Sequence, residues 1–248
     1  MEPHQNKADQ IRREVIDVAV RNKQGHIAPS LSCVDILVAL YYEVMGDHDE
    51  LIFSKAHGCY GLYAILTDLG KIPREVWLNF ELPGCSARNL NYGITAGCGS
   101  LGHGLPIAVG AAFGKKVLGH EGRVFCIVGD GEMQEGSNWE AIQFAVKHEL
   151  NNLAIIVDDN RLQAMDFRIN VMDRFNDSLR RRLSGFGLWP IICNGHDMAE
   201  LIETLNMYVG DKFPHCVMAE TIKGYGLLVA ENVPKFHYRL PTQDELRL

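Results

Sequence analysis

Apolar positions along the chain follow two rhythms. Ile11, Val15, Val18 and Ala19 recur at helical spacing, with Asp9 as the expected cap, and the pattern runs out near Lys23-Gln24-Gly25. A second helix is predicted over roughly Cys33 to Met45, a short strand over Leu51 to Phe53, and a helix through Tyr60, Leu62, Tyr63 and Leu66. Further on, Gly99-Ser100-Leu101-Gly102-His103-Gly104 opens an apolar helix through Ala108, Ala111, Ala112 and Val117. Val124 to Val128 and Leu153 to Val157 are apolar runs of strand length. Between them Trp139, Ile142, Val146 and Leu150 stand at spacings of three and four. A helix from Asp173 to Ser184, a strand from Trp189 to Cys193, a helix through Leu201, Ile202 and Leu205 capped by Asp197, and a last strand from Cys216 to Glu220 complete the order. Strands alternating with helices predict an α/β fold built on a mainly parallel sheet.

The chemistry gathers where the strands stop. Each apolar run breaks into a polar loop, at Ser54-Lys55-Ala56-His57, Gly129-Asp130-Gly131, Asp158-Asp159-Asn160 and Thr221 to Gly226. Ligands of open α/β sheets sit at such carboxyl ends. Asp130 and Asn160 stand thirty positions apart, and adjacent parallel strands bring two such loops within reach. A carboxylate beside an amide oxygen suits a hard divalent ion, since Mg²⁺ takes one or two carboxylates and fills its shell with water and phosphate oxygens. Asp, Asn and Gly are also ordinary turn formers, and both readings stand at this point.

Composition narrows the class. The chain has 248 residues, enough for one large α/β domain or two small ones, and no repeat, low-complexity tract or linker divides it. A net charge of -7 disfavours nucleic acid or an anionic membrane as the main partner, so any anionic ligand must be held locally. The seven cysteines form no CxxC pair, so neither a zinc site nor a disulfide framework is expected, and a reducing cytoplasm fits best. The polar start MEPHQNKADQ and the lack of a run approaching eighteen apolar residues predict neither a signal peptide nor a membrane span. No GxGxxG opens a helix after an early strand, which disfavours a dinucleotide-binding domain.

GDG followed about thirty residues later by Asn resembles the thiamin diphosphate signature. GDGEMQEGSNWEA with NNLAIIVDDNRLQ resembles transketolases more narrowly, and SKAHGCYGLYAIL, GSLGHGLPIAVGAA, NGHDMAEL and TIKGYG with His237 extend the likeness in order over nearly the whole chain. The resemblance implies that residues 1–248 form one diphosphate-binding thiamin diphosphate domain. It implies metal ligation by Asp130, Asn160 and the Leu162 carbonyl, with Mg²⁺ expected and Ca²⁺ or Mn²⁺ as alternatives. Cofactor contacts would come from His57, Gly99, Leu101, Gly129, Gly131, Asn160 and His237. His26, His57 and His237 would be catalytic, and Glu135 would sit at a subunit interface.

Each role has a plainer alternative. His26 follows a helix-ending glycine and suits a helix dipole partner, His57 starts a helix, and Glu135 suits a helix's first turn. Lys223 stands where it could approach a phosphate, and His103 either faces substrate or caps its loop. Glu132 and Asp159 read as loop solvation, Arg180-Arg181-Arg182 as a solvated face, the GHD at 195–197 as a cap, and AMDFRINVMDRF as a surface segment near the cofactor.

Two departures shape the functional expectation. Transketolases usually carry a GHP segment between positions matching Trp77 and Cys98, and NFELPGCSARNLNYGITAGC holds no histidine, leaving Arg88, Asn89, Asn91 and Tyr92 as substitute donors or as ordinary loop residues. The family's pyrimidine-binding domain, with its activating glutamate, would follow the part resembled here, and the sequence ends at Leu248. The expectation is therefore the N-terminal half of a split transketolase. It would transfer a two-carbon ketol unit from a ketose or ketose phosphate to an aldehyde, completed by a C-terminal subunit in an α₂β₂ assembly. A 2-oxo acid decarboxylating or deoxyxylulose-phosphate-synthase-like component is the alternative, and a non-catalytic cofactor-binding module a further one.

Overall fold

The computed structural model describes residues 2–164, 166–207 and 212–247. Its sheet has five parallel strands, β1 (Glu50–Phe53), β2 (Val124–Gly129), β3 (Leu153–Asp159), β4 (Ile191–Asn194) and β5 (His215–Glu220), in the order β1-β2-β3-β5-β4. The helices are α1 (Glu2–Arg21), α2 (Ile27–Leu31), α3 (Val34–Ala39), α4 (Tyr60–Asp68), α5 (Arg74–Leu78), α6 (Gly104–Leu118), α7 (Gly136–Lys147), α8 (Arg168–Val171), α9 (Ser178–Gly185) and α10 (Met198–Asn206).

Both faces of the sheet are covered, which is why β2 and β3 are buried along their whole length. Successive strand side chains point to opposite faces, so even an unbroken apolar run divides between two cores. Phe125, Ile127, Ala154 and Ile156 pack with α1, α2, α3, α4 and α10. Val124, Cys126, Val128, Ile155 and Val157 pack with α6, α7 and α9. Each fully buried aliphatic side chain contributes about 1.5–3 kcal/mol. The two cores thus hold the strand ends in fixed register, Gly129 beside Asp158 and Asp158 beside Ala219.

Several boundaries differ from the sequence pattern for identifiable reasons. Helix α1 already runs from Glu2, so Asp9 is interior to it and accepts from Arg12 Nη1 at 2.8 Å instead of capping. The second helix is α3 continued by a π turn over Leu40–Val44. Helix α9 begins at Ser178, because Asp173 is drawn away to Arg168 and Arg182. Strand β4 begins at Ile191, after Pro190, which has no N–H for the ladder, and Trp189 is left 67% exposed. Ile27–Val44 is an 18-residue window long and apolar enough to cross a membrane, contrary to the expectation that none existed. Here 83% of it is buried, broken into α2, α3 and the π turn.

The carboxyl ends of β1, β2, β3 and β5 meet at one edge, and the start of α6 is pressed against them. A Cβ on Gly104 would lie 2.6 Å from Ser54 Cα, in the residue that follows β1. Gly104→Ala should therefore lower stability by about 1–3 kcal/mol, read as a lower urea midpoint. An unchanged midpoint would mean that the two backbones separate freely.

Candidate active site

At that edge lies a cavity of about 420 Å³. It is lined by every residue singled out from the sequence for catalysis, cofactor, metal or interface: His26, His57, Gly99, Leu101, Gly129, Asp130, Gly131, Glu135, Asn160, Leu162 and His237. Residues separated by as many as 211 positions, His26 and His237, thus share one wall.

Three imidazoles form a cluster with ring centroids 5.3 to 5.6 Å apart. His26 has φ 60, a left-handed conformation that costs a non-glycine residue of order 1 kcal/mol or more and tends to mark functional sites. His57 lies in the short turn Ala56–Gly58 ahead of α4. His237 accepts at Nδ1 from Lys223 Nζ at 2.8 Å, so its neutral ring carries the proton on Nε2. Burial, reinforced by the nearby lysine charges, lowers all three: His26 below its ordinary value, His57 well below, and His237 to about 3. The cluster is neutral near pH 7, able to donate and accept hydrogen bonds but carrying no charge.

Asp130 and Asn160 are both buried on neighbouring strand ends. Asp130 Oδ1 accepts from its neighbour Gly131 N at 2.9 Å and Oδ2 from Arg168 Nη1 at 2.8 Å. Asn160 Nδ2 donates to Asp158 Oδ2 at 3.2 Å, which turns Oδ1 toward the Leu162 N–H at 3.1 Å. The Leu162 carbonyl accepts from Lys223 Nζ at 2.9 Å. Burial raises Asp130 to about 6 despite Arg168, with Asp159 adding to the rise, and burial brings Lys223 down to about 8. No group of three His, Cys, Asp or Glu side chains stands together as a metal cage among the described residues. A cation here would have one carboxylate, one amide and one carbonyl oxygen, the sparse oxygen set of an ion that completes its shell with ligand phosphate and water. Gln134 Nε2 and Gln163 Nε2 are buried in the same walls and have no hydrogen-bond partner among the described residues.

Four residues take roles that their local pattern did not reveal. Glu132 and Asp159, expected as solvated loop residues, are each 3% exposed. Glu132 accepts from Ser54 Oγ, from Gly102 N at 3.0 Å and from Gly129 N at 3.1 Å, tying three segments of the cavity together. Asp159 accepts from Arg168 Nη1 at 2.7 Å. Arg168 belongs to the segment expected on the surface, yet it is 2% exposed. Asp197 caps α10 as expected, but His196 does more: its Nε2 accepts from Ile222 N at 2.8 Å and its Nδ1 donates to Asp35 at 2.7 Å, steadying the loop that carries Lys223.

His103 and the polar residues of the histidine-free interval stay away from the cavity. Asn89 is spent on its own turn, accepting from Asn91 N at 3.1 Å, and neither they nor Arg88 and Tyr92 line the cavity. His103 is exposed at the start of α6, makes no side-chain cap and is not part of the wall. Glu135 is exposed on the rim and makes no side-chain cap to α7. Of the basic run, Arg180 and Arg181 are exposed as expected, and Arg182 reaches Asp173 at 2.8 Å.

Comparison with known proteins gives this geometry a lineage. Residues 2–184 match the 1-deoxy-D-xylulose-5-phosphate synthase family. Over 98% of its length the chain is 35% identical to one of the subunits of the apulose-4-phosphate transketolase of Actinobacillus succinogenes, covering 93% of that protein. The chain belongs to the transketolase family. A 6-deoxy-6-sulfo-D-fructose transketolase subunit of a Clostridium species is 30% identical over 97% of the chain and 92% of its own length. A transketolase from Campylobacter jejuni superimposes over 99% of this chain with a TM-score of 0.85 and 26% identity, and this chain spans 42% of that protein. As a member of the transketolase family it is a ketol-transferring enzyme component of the transferase class, and the family implies thiamin diphosphate as cofactor.

The depressed histidines can be measured directly. In two-dimensional ¹H–¹⁵N spectra the His237 ring should remain neutral from pH 8 to pH 5, whereas an unperturbed imidazole would charge near pH 6.5. Because the unfolded chain takes up that proton first, His237 contributes stability that is lost as the pH falls from about 6.5 toward 3. A titration midpoint above pH 6 would contradict the electrostatics described.

Proposed function

We propose that this chain is the diphosphate-binding subunit of a two-chain transketolase, a single diphosphate-binding domain that works with a separate subunit carrying the pyrimidine-binding half. The observation that carries the reading is the meeting of Asp130, Asn160 and the Leu162 carbonyl with three neutral histidines in one cavity. The Actinobacillus relative, of nearly the same length, is named as one subunit of its transketolase, which supports the partnership. Leu101 and Glu135, exposed on the cavity rim, lie where a second chain would close the site, and an α₂β₂ heterotetramer is the assembly proposed.

Asp130, Asn160 and the Leu162 carbonyl would hold Mg²⁺, with Ca²⁺ or Mn²⁺ as substitutes, and the cation would bind the diphosphate. The Gly131 N–H, the buried amide nitrogens of Gln134 and Gln163, and Lys223 add donors for anionic oxygens. Thiamin diphosphate, when bound, supplies a nucleophilic carbon and an electron sink for cleaving a bond next to a carbonyl. His57 and His237 would contact the diphosphate, and His26, His57 and His237 would bind donor hydroxyls and pass protons at their ring nitrogens. Neutral rings suit this, since each presents one donor and one acceptor.

The substrate is a ketose or ketose phosphate with an aldehyde acceptor. Two relatives of whole-chain extent carry different sugars in their names, so the shared chemistry is ketol transfer and the donor is left to loops outside the common core. With seven free cysteines, the cytoplasm is the proposed location. A second reading, a deoxyxylulose-phosphate-synthase-like reaction on a 2-oxo acid, is favoured by the family match over residues 2–184.

Three experiments test the proposal. Turnover should appear only when the partner is added, and ketol transfer at a normal rate by the purified chain alone would refute the two-chain assignment. Asp130→Ala should weaken Mg²⁺-dependent thiamin diphosphate binding by at least about 10-fold in calorimetry, and unchanged affinity would remove the metal assignment. Donor profiling of the assembled enzyme should favour a ketose or its phosphate, and preference for pyruvate would establish the second reading.

A further inference from the structure

Arg168 is a buried cation outside the cavity wall, facing the carboxylates from behind. Its Nη1 donates to Asp130 Oδ2 at 2.8 Å and to Asp159 Oδ1 at 2.7 Å, and its Nε donates to Asp173 Oδ2. The segment after β3 is folded around it. The Arg168 N–H donates to the Arg161 carbonyl at 2.8 Å, and the Met172 and Asp173 N–H groups both donate to the Arg168 carbonyl at 3.0 Å. The bridge between Leu162 and Phe167 closes the same loop. Residues 161–164 and 166–173 therefore form a strap with the Arg168 guanidinium at its centre, and the strap includes the Leu162 carbonyl.

Asp158, another buried carboxylate at this edge, is already matched by Lys55. Among the described residues, Arg168 is the cation that forms ion pairs with Asp130 and Asp159. Two buried carboxylates without a counter-charge are strongly unfavourable, and a planar fork with several donors is the side chain that serves three carboxylates at once.

We propose that Arg168 is a positioning residue that takes the place of the metal's charge at Asp130 in the cofactor-free protein, holding the carboxylate aimed and the strap closed before cation and cofactor arrive. The inference rests on the proposed role of Asp130 as a metal ligand. On it, Arg168 and the divalent ion compensate the same carboxylate, so losing the arginine makes the fold depend on the ion.

The test compares the full chain with its Arg168→Met and Arg168→Lys variants, reading thermal midpoints and hydrogen exchange of residues 161–173. Each is measured without divalent ions and with Mg²⁺ plus thiamin diphosphate. Without ions, Arg168→Met should melt roughly 10 °C lower and exchange faster in the strap. Mg²⁺ with the cofactor should restore more than half of that loss and raise the wild-type midpoint far less. Arg168→Lys, with one ammonium in place of the fork, should fall between and carries the comparison if the methionine variant does not fold. A loss that Mg²⁺ and cofactor leave untouched would make Arg168 a structural brace only, and an unchanged midpoint would remove the role altogether. Asp130→Ala separates the two levels. If it still gains stability from Mg²⁺ and cofactor, the metal assignment itself fails and this inference with it. If that gain disappears while the Arg168 variants show no ion-dependent recovery, only the arginine inference fails.

Discussion

The buried pair of Lys55 and Asp158 is the contact on which the carboxyl edge of the sheet depends. Both side chains are withdrawn from solvent, and each is bonded beyond the pair itself. Lys55 Nζ also donates to the Pro29 carbonyl at 2.9 Å and to Ser32 Oγ at 3.2 Å. Asp158 accepts from Ser32 Oγ at 2.6 Å, from Thr221 Oγ1 and from Asn160 Nδ2. The ends of β1, β3 and β5 and the neighbourhood of α2 are thereby locked together. Burial lowers Lys55 and raises Asp158, but their mutual attraction together with the surrounding charges and hydrogen bonds outweighs it in each case, leaving both charged. Such a pair adds little net stability over a well-packed apolar substitute, while losing one partner costs about 3–5 kcal/mol. Its value is positional: it sets the orientation of Asn160 and keeps His57, two residues from Lys55, on the cavity wall.

The same charges decide the state of the three imidazoles. Lys223 stands close enough to all three imidazoles, and Lys55 to His57 and His237, to add to the effect of burial and keep them neutral. An acidic chain of net charge -7 thus keeps a local reserve of cations at the one place where an anionic ligand is expected. Glu132 balances part of that reserve from below, and burial raises it even though three donors hold its carboxylate. Close approach adds the final constraint. A Cβ on Gly102, which has φ +80, would fall 2.6 Å from Glu135 Cβ, so the glycine turn can lie directly on the start of α7.

Family membership accounts for the general geometry of the cavity and leaves its specificity open in an instructive way. The histidine-free interval between Trp77 and Cys98 keeps its polar side chains Arg88, Asn89, Asn91 and Tyr92 off the cavity wall. Two relatives of similar extent differ in the sugars named for them.

The resemblance to transketolases supplied the set of residues that meet in the cavity, and the amino-acid order by itself determined the succession of strands and longer helices and the polar loops at strand ends. Those features are written in periodicity and in motifs whose parts lie on single loops, such as Gly129-Asp130-Gly131 or Ser54 to His57. Only the tertiary structure decided which carboxylates are solvated and which are buried. Glu132 bonds to residues 30 and 78 positions away, Arg168 reaches 38 positions back to Asp130, and His196 reaches 161 positions back to Asp35. A charged side chain looks the same in a sequence whether its counter-charge is water or a distant arginine, because solvation is set by what the chain packs over it and not by its neighbours in order.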